Sequence, residues 1–227
     1  MRADIKFCGL TRAVDAECAV SLGASCVGVI FAGGPRMLTV DQAREVLAGV
    51  PDTVRRVGVF ADQTADEIAR IAEALNLAVA QLHGRTDLAR IADLRRSFSG
   101  HIWPVLRVID GDLTEAFSDL IEVADGVLLD AFSPKALGGT GLRLPWAAMS
   151  AELAQRRGGT PVVLAGGLTP DNVAQAIADL EPNVVDVSSG VELAPGIKDH
   201  DRMRAFREAV TRASLATSHS TARSTSR

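Results

Sequence analysis

Cys8 and Asp130 are the two side chains of this sequence best placed to move protons. Each closes a short apolar run, 5–8 and 126–130, where the backbone behind it is fixed and the side chain is free to meet a ligand. A thiol and a carboxyl facing each other could exchange protons with a molecule held between them. Other chemistry-bearing residues recur at equivalent points. Gly33-Gly34-Pro35-Arg36 follow the second apolar run, and Gln81-Leu82-His83-Gly84 end the fourth. Ala165-Gly166-Gly167 end the seventh, and Asp186-Val187-Ser188-Ser189-Gly190 the eighth.

The elements that must hold these residues are legible from period. Apolar, β-branched runs at 5–8, 26–31, 56–60, 78–83, 102–108, 126–130, 162–165 and 184–188 alternate with Ala/Leu/Glu/Arg stretches of helical spacing. Thr11, Thr39 and Thr64 stand where helix N-caps belong, and Thr64 has Glu67 three residues on, as in a capping box. Ile68, Ile71, Ala72 and Leu75 give the third helix one apolar stripe. The runs are continuously apolar, as parallel strands covered on both faces are. Eight such units predict a single α/β domain, a closed (β/α)8 barrel, over an open doubly wound sheet. No first strand–helix turn supplies Gly-x-Gly-x-x-Gly, which an open dinucleotide-binding fold would want.

In such a barrel the site lies at the strand C-terminal ends, where these residues fall. Strand alternation puts Cys8 on one face with Lys6, Gln81 with His83, Asp130 with Leu128, and Asp186 with Ser188. If Cys8 and Asp130 point inward, they face each other across the barrel mouth, with Lys6 one layer deeper. A buried lysine needs a partner, and Asp186 is the candidate. Gly166, Gly167, Ser189 and Gly190 expose backbone N–H groups after the last two strands, where phosphate sites recur in this fold. Each residue also has a plainer reading. Cys8 could be an inert buried thiol, His83 a hydrogen-bonded strand end, Asp130 a turn cap and Arg36 a solvated charge. The loop Leu137-Gly138-Gly139-Thr140-Gly141 could be a linker or a lid. Cys18 and Cys26 read as core.

Composition excludes several classes. The 24 basic and 28 acidic residues give a net charge of −4 without a basic cluster, which argues against nucleic acid as a partner. The apolar runs are too short to span a bilayer, so no membrane is expected. Met1-Arg2-Ala3-Asp4 runs directly into Ile5-Lys6-Phe7, leaving no room for a signal peptide, and a cytoplasmic protein is expected. Three cysteines without Cys-x-x-Cys spacing predict neither disulfides nor a structural zinc site. The barrel is expected over 1–213. The Ser/Thr/Ala/Arg/His-rich stretch 214–227 is expected to be a disordered tail.

Taken in order, Lys6-Phe7-Cys8-Gly9-Leu10-Thr11, Gly33-Gly34-Pro35-Arg36, Gly58-Val59-Phe60 and Gln81-Leu82-His83-Gly84 resemble the phosphoribosylanthranilate isomerase family. The resemblance continues through Leu128-Leu129-Asp130, Gly138-Gly139-Thr140-Gly141, Leu164-Ala165-Gly166-Gly167-Leu168 and the run from Asp186 to Glu192. It closes with Pro195-Gly196-Ile197-Lys198-Asp199, and spans residues 4 to about 210. It implies a barrel of the ribulose-phosphate-binding type and an Amadori isomerisation of a phosphosugar. In that reaction Cys8 looks like the general base, Asp130 the general acid, and Arg36 the group that holds an anthranilate carboxylate. Gln81, His83 and Asp186 look like further substrate contacts, and Gly166, Gly167, Ser189 and Gly190 like the phosphate cradle. No metal or other cofactor is implied, and the assembly is expected to be a monomer or homodimer. Such chemistry needs Asp130 protonated and Cys8 ionised, so burial should raise the first and Lys6 should lower the second.

The chain departs from the family at Gly34, where Ser is usual, and at Ala61-Asp62, where Val-Asn is common. Two related barrels fit less well. Indoleglycerol-phosphate synthase wants catalytic lysines at strand ends, whereas Lys6 is the one lysine in a strand. The isomerase shared with histidine biosynthesis uses two aspartates, whereas Cys8 holds the first position. A non-catalytic phosphometabolite sensor would have no reason to retain both Cys8 and Asp130.

Overall fold

Valine, isoleucine and leucine dominate eight short runs, and each run forms a strand whose two faces are both covered. The computed structural model of the protein describes residues 3–84, 86–108, 113–130 and 146–224. Strands and helices alternate along it as β1 (Asp4–Phe7), α1 (Ala13–Ser21), β2 (Cys26–Ile30), α2 (Val40–Leu47), β3 (Arg55–Phe60) and α3 (Ala65–Leu75). There follow β4 (Val79–Leu82), α4 (Leu88–Ser97), β5 (His101–Arg107), α5 (Ala116–Val123), β6 (Val127–Asp130) and α6 (Trp146–Arg156). The last units are β7 (Val162–Ala165), α7 (Val173–Leu180), β8 (Val184–Val187), a 3-10 turn at Ser189–Val191, β9 (Glu192–Ala194), β10 (Ile197–Lys198) and α8 (His200–Ser224).

The eight parallel strands close in sequence order, with β1 pairing both β2 and β8. The expected (β/α)8 TIM barrel is therefore the observed fold, and each strand lies within a residue or two of its expected bounds. Alternation divides the apolar residues into two shells. Cys26, Val57, Val79, Trp103, Val105, Leu128, Val163 and Val184 fill the barrel interior. The larger set, including Phe7, Val27, Phe60, Leu82, Leu129 and Val185, packs between strands and helices. No described helix is long and apolar enough to cross a membrane.

Local signals act mostly as expected. Thr64 caps α3 in a reciprocal box with Glu67, and Thr39 caps α2 in the same way with Gln42. Thr11 does not cap α1. The helix starts from Arg12, and the Thr11 hydroxyl instead donates to the Gly196 carbonyl at 2.5 Å. A tertiary bond to the β9–β10 hairpin has displaced the local one. The tail also departs from expectation, since α8 continues through Ser214 to Ser224 rather than losing order at 214. Ser214 is buried, and Ala213, Leu215 and Ala216 are good helix formers that extend a helix already nucleated.

Helix α8 returns to where the chain began. Its Phe206 meets Phe7 of β1 edge to face at 6.2 Å between ring centroids, and neither ring is exposed. This contact joins the last helix to the first strand across the seam of the barrel. Phe206→Ala should therefore cost about 3–5 kcal/mol. The cost would appear in urea unfolding as a lower midpoint with an unchanged slope.

Candidate active site

Inward-pointing residues at the upper ends of the strands converge on one space. Lys6 lies level with Cys26 on one side and Asp186 on the other, which fixes it inside the barrel. Its ammonium donates to Asp186 Oδ2 at 2.7 Å, with no exposure of the Lys6 side chain. The partnership expected from sequence is thus formed. Cys8 stands two residues further up the same face, its N–H bonded to the Val187 carbonyl, and it too is buried. Gly28 on β2 makes room for both. A Cβ there would lie 3.1 Å from Cys8 Sγ and 3.3 Å from Lys6 Nζ. Thiol and ammonium therefore share one small volume, as expected.

The electrostatics differ from expectation in one respect. Burial pushes the Cys8 thiol above its ordinary range, and the opposing pull of Lys6 does not overcome it. Lys6 itself would be lowered by burial, but Asp186 and Cys8 outweigh that and hold it firmly protonated. Lys198 is a second cation acting on Cys8. The sequence reading had given that role to Lys6 alone.

Across the mouth, Asp130 ends β6 half-buried, level with Arg107 of β5 and Ala165 of β7. Burial raises its carboxyl, with His83 and Arg107 pulling the other way. His83 is lowered by burial, against the attraction of Asp130. Gln81 lies beneath it on β4. Gln81 Oε1, His83 Nδ1 and Asp186 Oδ1 are buried without a hydrogen-bond partner among the described residues. Polar atoms of this kind are costly unless something meets them. Arg107 escaped the sequence reading. The alternation that selected Gln81 and His83 would have found it as the inward residue closing β5.

After β7 and β8 the two glycine-rich loops lie against one another. Gly166 and Gly167 adopt φ of +92° and +65°, a left-handed region that favours glycine. The Asn172 side chain holds the Gly167 carbonyl at 2.9 Å. A Cβ on Gly190 would stand 1.9 Å from the Leu168 carbonyl oxygen, so only glycine fits there. Ser189 is exposed and opens the 3-10 turn that follows β8.

Arg36 is not a free surface charge. Its Nε and Nη2 donate to Glu192 Oε1 and Oε2 at 2.8 and 2.6 Å. Lys198, also buried, donates to the same Oε1 at 2.7 Å. Burial would raise the Glu192 carboxyl, but Arg36 and Lys198 outweigh it and hold it down at about 2. Glu192 and Lys198 belong to motifs quoted above without roles of their own. They bond to one another six residues apart, but Arg36 lies 156 residues from Glu192, beyond any local pattern. The loop at 138–141 lies outside the described residues.

A closed barrel with a buried thiol, a raised carboxyl and glycine-lined loops gathered at one end of its strands defines an enzyme of the (β/α)8 class. Comparison with known proteins narrows this. The family model of N-(5'-phosphoribosyl)anthranilate (PRA) isomerase matches residues 5–209. A curated relative from Pseudomonas fluorescens strain Pf0-1, an N-(5'-phosphoribosyl)anthranilate isomerase, is 42% identical over 206 residues, covering 90% of this chain and 97% of its own. The crystal structure of phosphoribosyl anthranilate isomerase from Thermotoga maritima superposes with a TM-score of 0.81 at 31% identity, covering 92% of this chain and 98% of that one. A phosphoribosyl anthranilate isomerase solved with reduced 1-(o-carboxyphenylamino)-1-deoxyribulose 5-phosphate superposes with a TM-score of 0.79 at 30% identity and the same coverage. The chain belongs to the N-(5'-phosphoribosyl)anthranilate isomerase family, and is thereby an isomerase of tryptophan biosynthesis.

The contact of Gly190 with Leu168 carries a structural consequence. Gly190→Ala must force the β7 and β8 loops apart, since the obstructing atom belongs to the backbone. Overpacking of this kind costs about 1–3 kcal/mol. Urea unfolding should register that loss, and unchanged stability would mean that the loops are not held in contact.

Proposed function

We propose that the chain catalyses the Amadori rearrangement of N-(5-phosphoribosyl)anthranilate to 1-(2-carboxyphenylamino)-1-deoxyribulose 5-phosphate, with Asp130 as general acid and Cys8 as general base. The observation that carries the reading is a raised carboxyl opposite a thiol with a protonated lysine beneath it. The relative's bound analogue has the carbon skeleton of the product, which supports the choice of substrate.

Protonated Asp130 gives its proton to the furanose ring oxygen. The C1–O bond breaks as the anilino nitrogen supplies its lone pair to C1, leaving a protonated Schiff base. The Cys8 thiolate then takes the C2 proton. The C2–H electron pair becomes the C1–C2 double bond, and the C=N pair returns to nitrogen. The enolamine tautomerises by moving a proton from the C2 hydroxyl to C1. A final transfer from the Cys8 thiol to the Asp130 carboxylate, through solvent, restores both groups.

Burial by itself favours the thiol form of Cys8. A cationic Schiff base beside it opposes that effect, because a nearby positive charge favours the thiolate. The ionised base is thus favoured when its proton acceptor role arises. Arg36 receives the anthranilate carboxylate. Gln81, His83 and Asp186 meet the sugar hydroxyls with their unpartnered atoms. The N–H groups around Gly166, Gly167, Ser189 and Gly190 hold the phosphate. The partner is this small phosphosugar, met in the cytoplasm by a monomer or homodimer with no need of nucleic acid or membrane.

Loss of anthranilate fluorescence from freshly made substrate tests the reaction. Wild-type protein should consume it rapidly. Cys8→Ala and Asp130→Asn should each lose about 10²–10⁴-fold in kcat, while binding the reduced product analogue almost normally. Binding without consumption by the wild type would instead favour a sensor.

The pH profile tests the electrostatics. The working form carries protonated Asp130 and ionised Cys8, so kcat/KM falls below the Asp130 ionisation and above that of Cys8. Lys6 lowers the Cys8 ionisation. Lys6→Met should therefore depress the plateau and move the alkaline limb to higher pH. Lys6→Met/Asp186→Asn, which leaves no buried charge unpaired, should move it the same way. A limb that stays in place in both variants would remove Lys6 from the mechanism.

A further inference from the structure

We infer that Glu192 and Lys198 are positioning residues for Arg36, fixing its guanidinium so that one edge is held inside the protein and the adjoining edge faces an aryl carboxylate. The inference rests on the reading above that Arg36 meets the substrate carboxylate, and it concerns what makes that contact selective.

The guanidinium is planar and carries five N–H donors. Nε and one N–H of Nη2 form one edge, and both are engaged by Glu192 in a two-bond fork. The second N–H of Nη2 and those of Nη1 form the adjoining edge. Nη1 makes no hydrogen bond among the described residues. Glu192 is itself immobilised, because its Oε1 also accepts from Lys198 Nζ at 2.7 Å and from the Gly196 N–H at 3.3 Å. Lys198 is tied in turn to the Ser188 carbonyl and hydroxyl at 3.2 and 3.5 Å. The hydrocarbon stem is fixed as well. A Cβ at Gly9, whose φ is +68°, would lie 2.6 Å from Arg36 Cδ and 3.0 Å from Ser188 Oγ. Gly9 therefore opens the channel through which Arg36 passes.

Charge explains why two residues are needed. Glu192 alone would fix Arg36 but would neutralise it, leaving little attraction for an anion. Lys198 supplies a second cation to the same carboxylate, so the triad keeps one net positive charge. Lys198 is lowered by burial yet supported by Glu192, so each stabilises the ionised form of the other. An arginine held this way meets its ligand without losing rotamer freedom at that moment, which is the advantage of preorganisation. The hairpin of β9 and β10 thus acts as a bracket for a residue on the loop after β2.

Titration calorimetry with two probes tests the inference. One is reduced 1-(o-carboxyphenylamino)-1-deoxyribulose 5-phosphate, and the other is the same compound lacking the aryl carboxylate. Glu192→Gln/Lys198→Met removes both bracket charges, keeps the volume and leaves the net charge at one, so it changes the placing of Arg36 and not its attraction. It should weaken the carboxylated probe about 10-fold, the scale of one charge-assisted hydrogen bond, and leave the other probe unchanged. Glu192→Gln alone, which adds one positive charge, should weaken it less. In an Arg36→Met background the double substitution should have no further effect on the carboxylated probe. Equal weakening of both probes, or of neither, would overturn the positioning role. If Arg36→Met itself fails to distinguish the probes, the carboxylate reading of Arg36 falls, and that result is separable from failure of the bracket alone.

Discussion

Lys6 and Asp186 place opposite charges 2.7 Å apart inside the barrel, where the lysine has no exposure at all. Two such ions removed from water lose several kcal/mol of hydration each, and mutual attraction recovers this only with good geometry. A buried pair of this kind is therefore a poor device for stability. Its position explains its presence, since it lies one layer beneath Cys8 and shares with the thiol the space left by Gly28. The barrel provides what the pair requires. Parallel strands β1 and β8 hold both residues level, and the apolar layer from Val57 to Val184 closes the space below them. Because the strands are registered, the ammonium cannot withdraw from the thiol without parting from its carboxylate.

The same physics runs in the opposite sense at Asp130. There burial acts with little compensation, since His83 is itself held toward neutrality and Arg107 is largely in water. One barrel mouth thus carries a carboxyl biased toward its acid form and a thiol whose burial is partly offset by lysine. The fold achieves this by strand choice. Cys8 follows a strand flanked on one side by Asp186, whereas Asp130 ends a strand flanked by Ala165 and by the tip of Arg107. Different strand neighbours thus bias the two groups differently, although Asp186 raises both.

Period and strand ends made much of this legible in the sequence. Eight apolar runs at βα spacing favoured a barrel, alternation put Lys6 under Cys8, and the need of a buried lysine for a partner made Asp186 the candidate. What local pattern could not convey was any competition between a near partner and a distant one. Thr11 has the composition of an N-cap but bonds to Gly196, 185 residues on. The tail reads as disordered by composition, yet helix α8 was already nucleated and simply continued. The excess of burial over lysine at Cys8 is likewise a matter of magnitudes in three dimensions, where the sequence suggested only the lysine's pull.

The Arg36–Glu192–Lys198 triad shows where such reasoning reaches its limit. Arg36 follows two glycines and a proline, and every local sign fits a solvated turn. Glu192 and Lys198 come after the last barrel strand, in a stretch with little regular structure beyond two short strands. Their function depends on β1 and β8 closing the barrel, because closure brings the loops after β1, β2 and β8 to one rim. The same closure that buries Lys6 thus assembles a second ionic group around Arg36. Both groups contain a carboxylate held between cations or beside a thiol, and both border Cys8. Removing either carboxylate would withdraw the support that keeps its lysine ionised, and Lys6 and Lys198 are the two cations that lower the Cys8 thiol. The rim that carries Arg36 and the centre that carries Cys8 are therefore electrostatically linked.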